Sequence, residues 1–85
     1  MSENNKKYYT YILLTVNNTY YCGYTDNPER RFALHKQGKA AKYTRANKPI
    51  KMVYLKVFSS KIEAQQEERR IKKLKWSEKE KLCTS

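Results

Sequence analysis

Nine consecutive residues, Tyr8 to Val16, carry no charge in a chain where 32% of side chains are charged. The segment is rich in aromatic and β-branched residues, which suits a strand covered on both faces. Asn17-Asn18 marks a turn, because Asn tolerates the positive φ that hairpin turns need. Thr19 to Tyr24 then returns as a second strand. Thr25-Asp26-Asn27-Pro28 starts a helix, with Asn27 as cap, Pro28 at the first helical position and Glu29 favoured by the helix dipole. That helix runs to about Gln37 and stops at Gly38. Lys39 to Lys48 is a basic connector holding at most a helical turn, ended by Pro49. Ile50 to Phe58 alternates as a third strand, with Val53, Leu55 and Val57 on one face. Ser60-Lys61-Ile62-Glu63 is a capping-box pattern opening a long helix with Ala64, Ile71 and Leu74 along one side. Trp76 to Lys79 begins a last short helical piece that packs Trp76 and Leu82 back on the body. The order β-β-α-β-α-α predicts an α+β fold, a three-stranded antiparallel sheet flanked by helices. Residues 1–85 read as one domain with its core over about 8–82, thin enough that functional groups lie close to the surface.

The turn decides which residues share a face. A two-residue Asn17-Asn18 turn pairs Leu14 with Tyr21 and puts Tyr11 and Tyr21 on opposite sides of the sheet. A three-residue Val16-Asn17-Asn18 loop pairs Thr15 with Thr19 and Leu13 with Tyr21, which brings both phenols to one side. Asn18 can take the left-handed position such a loop requires. An odd-length loop or a bulge is therefore expected, with Tyr11, Tyr21, Arg31 and Glu68 converging on one concave face.

Charge narrows the partner. With 19 Lys and Arg against 8 Asp and Glu, the net charge is +11, which favours a polyanion and nucleic acid first. Most of the excess lies after His35. A membrane-surface helix would need large apolar residues opposite its cations, and Lys61 to Lys75 offers only Ile62, Ile71 and Leu74. Cys22 and Cys83 are 61 residues apart, with no CxxC and a single His, so neither a zinc module nor a disulfide scaffold is expected. Cys22 reads as a buried small residue and Cys83 as part of a frayed tail. The polar start, Met1 to Lys7, and the absence of a long apolar run imply no signal peptide or anchor, hence the cytoplasm.

Eight tyrosines stand against two phenylalanines. Each buried phenol oxygen needs a partner, so the excess points to a surface where those oxygens act, and phosphate is the natural contact for so basic a chain. Tyr9-Thr10-Tyr11 and Tyr21-Cys22-Gly23 are followed by Arg31, His35 and, much later, Glu68. In that order and spacing the set resembles the pattern of the GIY-YIG nuclease superfamily. The stretch Gly38-Lys39-Ala40-Ala41-Lys42-Tyr43-Thr44-Arg45 resembles its small single-domain bacterial branch, the UPF0213 group. The resemblance covers nearly everything from Tyr8 to about Leu82. Tyr9 stands where the name motif has Gly and Cys22 where it has Ile, and neither position supplies a reacting group. No asparagine follows Asn47, although many members carry one after the long helix.

The resemblance implies a divalent-metal-dependent endonuclease acting on DNA. Hydrolysis of a phosphodiester needs an activated water, charge stabilisation on the phosphate and help for the leaving oxygen. Glu68 would hold Mg²⁺ or Mn²⁺, a task one carboxylate can perform because Mg²⁺ keeps several waters. Arg31 would clamp the scissile phosphate through its planar fork. Tyr11 would position or deprotonate the water, supported by Tyr21 and His35. A free phenol titrates near ~10, so a nearby cation, the metal or Arg31, is expected to lower Tyr11. Helical spacing puts Glu67 and Glu68 on opposite shoulders of the apolar stripe and does not choose between them. The family pattern, Ala64 followed four residues later by the acid, selects Glu68.

Lys39, Lys42, Tyr43, Arg45 and Lys48 read as a strand-tracking patch, extended by Arg69 and Lys72, with Tyr43 free to stack or hydrogen-bond. Such contacts set affinity and salt dependence, not sequence choice. Nothing resembles a base-reading module, so specificity is structural or comes from a protein partner. Three simpler readings stand beside these. The tyrosines are good strand formers, Arg31 and His35 share one helix face, and Glu68 can pair with Lys72. A nucleic-acid-binding protein of the same fold with little or no nuclease activity is the alternative function. An adaptor for an acidic protein is weaker, because it leaves the tyrosines, Arg31 and Glu68 unexplained.

Overall fold

The computed structural model describes residues 6–84, so Met1 to Asn5 of the polar start lie outside the described residues. In chain order the elements are β1 (Tyr8–Thr15), β2 (Tyr20–Thr25), α1 (Pro28–Lys36), α2 (Lys42–Ala46), β3 (Pro49–Phe58), α3 (Lys61–Lys72) and α4 (Trp76–Thr84). The sheet is antiparallel in the order β2-β1-β3, which makes the uncharged segment its central strand. The fold is the expected α+β arrangement.

The hairpin takes the odd-length register. Leu13 pairs with Tyr21 and Tyr11 with Gly23, while Thr15 N–H donates to the Thr19 carbonyl at 2.9 Å. Asn18 has φ 60°, the left-handed conformation that closes the loop. The Thr15 and Thr19 hydroxyls meet at 2.6 Å and tie its base. The strand stops at Thr15, and Val16 turns out to solvent.

The third strand departs from simple alternation. Ile12 pairs with Tyr54 and Leu13 with Met52, so Val53 is an extra residue in the ladder. The bulge removes Val53 from the face it was expected to share with Leu55 and Val57. Val53 packs on the core around Ile12, whereas Leu55 and Val57 are half exposed.

Helix α1 starts where Asn27 accepts from the Arg30 N–H at 3.1 Å, with Pro28 in the first turn. It ends at Gly38, φ 76°, through N–H bonds from Gly38 to His35 O and from Lys39 to Leu34 O. The connector that follows contains a short helix, α2. Helix α3 is capped by Ser60, which accepts from Glu63 N–H at 3.2 Å, while the Glu63 carboxylate accepts from Ser59 rather than closing the expected box. Ala64 and Ile71 are fully buried, but Leu74 lies past the helix end and is half buried.

Ile12 and Ile71 centre the core between the sheet and α3, Leu13 is fully buried on the sheet's opposite face, and Thr10 ties α3 to β1 by donating to the Ala64 carbonyl at 2.7 Å. Truncating one of those side chains to Ala costs about 2–5 kcal/mol. That is a large share of the stability of a chain this size. Trp76 packs on Tyr20 and donates its indole N–H to the Asn18 carbonyl at 2.9 Å, so α4 closes over the hairpin. Cys83 sits in α4, half buried against the core, and is not part of a frayed tail. Cys22 is buried, and burial pushes its thiol up to about 12, as befits a packing residue. Among the described residues no helix is long and apolar enough to cross a membrane.

Candidate active site

Tyr11 and Tyr21 leave the hairpin on the same face because their residue pairs are two apart in one register. Helix α3 crosses the sheet with its two acidic shoulders separated. Cys22 Sγ reaches the Glu68 carbonyl at 3.8 Å and Gln65 donates to the Tyr24 hydroxyl at 2.9 Å, which fixes the Glu68 side toward β2. Glu67 faces β3 instead, accepting from Tyr54 at 2.9 Å and from both Nε and Nη2 of Arg70. The geometry thus makes the choice that periodicity left open: Glu68 is the acid beside the tyrosines.

A cavity of about 460 Å³ lies along β2, lined among others by Tyr11, Tyr21, Gly23, Arg31, His35 and Glu68. Gly23 makes room for Tyr11. A Cβ on Gly23 would lie 2.6 Å from the Tyr11 hydroxyl and 2.8 Å from Cζ, so the ring occupies the space of the missing side chain. Tyr11 is only 2% exposed, and its hydroxyl meets His35 Nε2 at 2.7 Å. His35 Nδ1 in turn meets the Thr44 hydroxyl at 2.7 Å, and that hydroxyl donates to the Ala41 carbonyl at 3.3 Å. With the threonine proton directed to Ala41, Nδ1 carries the imidazole proton and Nε2 accepts from Tyr11. Tyr21 packs its ring 5.1 Å from the imidazole and completes the enclosure.

The electrostatics follow from burial. His35 is 1% exposed, and burial followed by the nearby Arg31 charge lowers it to about 4, so it is neutral at pH 7. Burial raises Tyr11 above the ordinary phenol range, Tyr21 adds to the rise, and Arg31 opposes it without prevailing. Arg31 pulls Tyr11 down as expected but does not by itself bring the phenol below its ordinary range. Desolvation of a phenolate in an enclosed site outweighs one cation at the rim.

Glu68 Oε2 lies 3.0 Å from Lys72 Nζ, and the carboxylate-bearing side chain is 17% exposed against 51% for the lysine. Among the described residues no group of three or more His, Cys, Asp or Glu is arranged to hold a metal. A single half-buried carboxylate lining an open polar cavity is chemically suited to Mg²⁺ or Mn²⁺, which bind through one or two carboxylates plus water and phosphate oxygens. Zinc would need more ligands.

The sequence-derived patch residues Lys39, Lys42, Arg45, Lys48 and Arg69 are exposed and lie outside the cavity lining. Tyr43 stacks on Tyr21, with ring centroids 5.9 Å apart, and Lys72 hangs 6.0 Å from the Tyr21 ring. Sequence reasoning missed Thr44, whose role depends on the turn at Gly38 folding α2 back against α1. It also missed Lys61, Lys6 and Asp26 at the far end of the cavity, where Lys6 and Asp26 pair at 2.9 Å. Neither spacing nor periodicity ties those positions to the tyrosines.

Comparison with known proteins supplies the family. The GIY-YIG catalytic domain pattern matches residues 7–81. A UPF0213 protein of Oceanobacillus iheyensis is 48% identical over 91% of this chain and 90% of its own length. The chain belongs to the GIY-YIG family, in its UPF0213 branch. A UPF0213 protein of Streptococcus pneumoniae is 45% identical over 92% of this chain and 79% of its own. The solution NMR structure of a UPF0213 protein from Bacillus halodurans, 41% identical, superposes with a TM-score of 0.57 over 89% of this chain and 81% of that one. The GIY-YIG family is of nuclease type, and its two name motifs are here the Tyr11 and Tyr21–Gly23 strands of the hairpin.

Proposed function

We propose that this chain is a divalent-metal-dependent endonuclease that hydrolyses phosphodiester bonds in DNA and works in the cytoplasm. The observation that carries the reading is the 2.7 Å bond between the Tyr11 hydroxyl and a neutral, buried His35 in a cavity shared with Arg31 and Glu68. Glu68 holds the cation, Mg²⁺ or Mn²⁺. When bound, such an ion supplies Lewis-acid charge on a phosphoryl oxygen and makes bound water more acidic. Arg31 clamps the phosphate. The Tyr11 oxygen accepts a proton from the attacking water while its own proton moves to His35 Nε2, so a free phenolate is never needed. Binding a phosphodiester pairs the Arg31 charge that depresses His35 and raises the proton affinity of the imidazole. Tyr21 keeps the imidazole in place, and Thr44 fixes its tautomer.

The alternative, nucleic-acid binding with little or no cleavage, is favoured by the Lys72–Glu68 ion pair, which occupies the carboxylate a cation would use. One experiment separates the two. Nicking of plasmid and branched DNA is measured with and without Mg²⁺ or Mn²⁺, beside gel retardation. Glu68→Gln is expected to abolish nicking while leaving retention and folding nearly intact, and Glu67→Gln to do much less. Full activity in Glu68→Gln, or equal loss in both variants, removes the metal assignment. Retention without nicking by the wild type selects the alternative.

A further inference from the structure

Beside the catalytic cavity lies a second one of about 230 Å³, lined by Tyr20, Tyr21, Cys22, Tyr43, Lys72 and Lys79. Tyr21 and the Glu68–Lys72 pair connect the two. Its character is different, with three phenol rings and two ammonium groups. The rings of Tyr43 and Tyr21 are stacked at an interplanar angle of 20° with centroids 5.9 Å apart. Tyr21 also packs against the buried His35, with ring centroids 5.1 Å apart, so the stack is anchored to the interior. Yet Tyr43 is 40% exposed, and the Tyr11–His35 relay makes no use of it. Partly exposed aromatic surface with two ammonium groups lining the same cavity suits a planar base with its phosphate.

We propose that the Tyr43–Tyr21 shelf is a subsite for an unpaired DNA base next to the scissile phosphate, with Lys72 and Lys79 meeting the adjoining backbone. The proposal rests on the nuclease reading for the position of that phosphate and adds the substrate class. A base inside a duplex has neighbours on both faces and cannot offer one to Tyr43 without leaving the stack. Frayed, gapped or single-stranded DNA offers that face without unpairing. Because every base has a π-face, the subsite is sequence-tolerant, in keeping with the lack of a base-reading element. Lys72 is placed to serve both sites, since it touches Glu68 and overhangs Tyr21.

The test is metal-free binding of the full chain at fixed salt, read by fluorescence anisotropy. DNA of one sequence is presented fully paired and with an unpaired gap. The wild type is expected to prefer the gapped form by about tenfold, the size of one base–aromatic stack. Tyr43→Ala is expected to weaken binding of the gapped form by about tenfold and of the duplex by clearly less, so that the preference is lost, and Tyr43→Trp to keep it. An abasic residue moved stepwise through the gap supplies a test without any protein variant, with about tenfold weaker binding at one position. Equal affinity for both forms, equal losses on both in Tyr43→Ala, or an abasic scan with no position-specific loss each overturns the proposal. Base-dependent binding by a chain that never nicks DNA would remove the nuclease reading and keep the shelf. Nicking without base dependence would do the reverse.

Discussion

Gly23 and Tyr11 are partners because one side chain lies where the other is missing. The Tyr11 ring is buried and held by His35, so it is not free to swing away from a new methyl group. Gly23→Ala is therefore expected to displace the ring, break the 2.7 Å bond to His35 and destabilise by about 1–3 kcal/mol. Urea unfolding measures the second effect, and the chemical shift of the His35 imidazole reports the first. An unchanged imidazole environment in Gly23→Ala would show that the ring is not confined as described. At this scale the requirement for a small residue after Tyr21 has a plain steric cause, whereas Cys22 faces the core and can differ from the name motif without consequence for the site.

Among the elements, the hairpin loop sets the face on which the chemistry is built. Asn18 holds a left-handed backbone, which costs an ordinary L-residue roughly 1–2 kcal/mol and glycine almost nothing. Asn18→Gly is expected to melt near the wild-type temperature, and Asn18→Val to lose about 1 kcal/mol in a denaturant titration. Equal stability of the two would mean that the loop is not strained at that position. Helix α2 has a separate task. Its buried Thr44 supports His35, while Lys42 and Arg45 point to solvent. If those cations meet phosphates, each contact adds roughly 0.7–0.9 to the log–log salt slope of DNA affinity. Neutralising both is expected to flatten the slope by about 1.5 without abolishing metal-supported nicking. An unchanged slope would move the backbone contacts elsewhere on the molecule.

For the molecule as a whole, a neutral imidazole in a thin core makes stability depend on pH. His35 is near 6.5 when unfolded and about 4 when folded, so between those values the unfolded chain binds more protons. Its contribution is complete above pH 6.5 and is lost as the pH falls toward about 4. The loss amounts to roughly 1–3 kcal/mol, which a chain this small registers as a clear drop in melting temperature. Replacing His35 by Gln should flatten the profile over that window, and a profile identical to the wild type would assign the acid sensitivity to other groups. The same protonation removes the acceptor for the Tyr11 proton, so nicking is expected to decline over the acidic range as well.

Much of this architecture was legible in the sequence because it is written in short-range terms. The uncharged β1, the Asn27 and Ser60 caps and the stop at Gly38 each depend on a few adjacent residues and on backbone sterics. The resemblance to the GIY-YIG pattern named Tyr11, Tyr21, Arg31, His35 and Glu68, which the fold brings to one cavity. Tertiary structure decided the rest. The bulge at Val53 arises where β3 must fit a central strand already paired on its other side, and no alternation in β3 alone encodes it. Periodicity made Glu67 and Glu68 equivalent until Tyr54 on β3 drew one away and β2 received the other. Thr44 entered the site only because Gly38 reverses the chain, and the burial that depresses His35 and raises Tyr11 is produced by three elements closing together. Local sterics act between neighbours in the chain, whereas desolvation and register act between segments far apart in it, and only the folded chain brings those together.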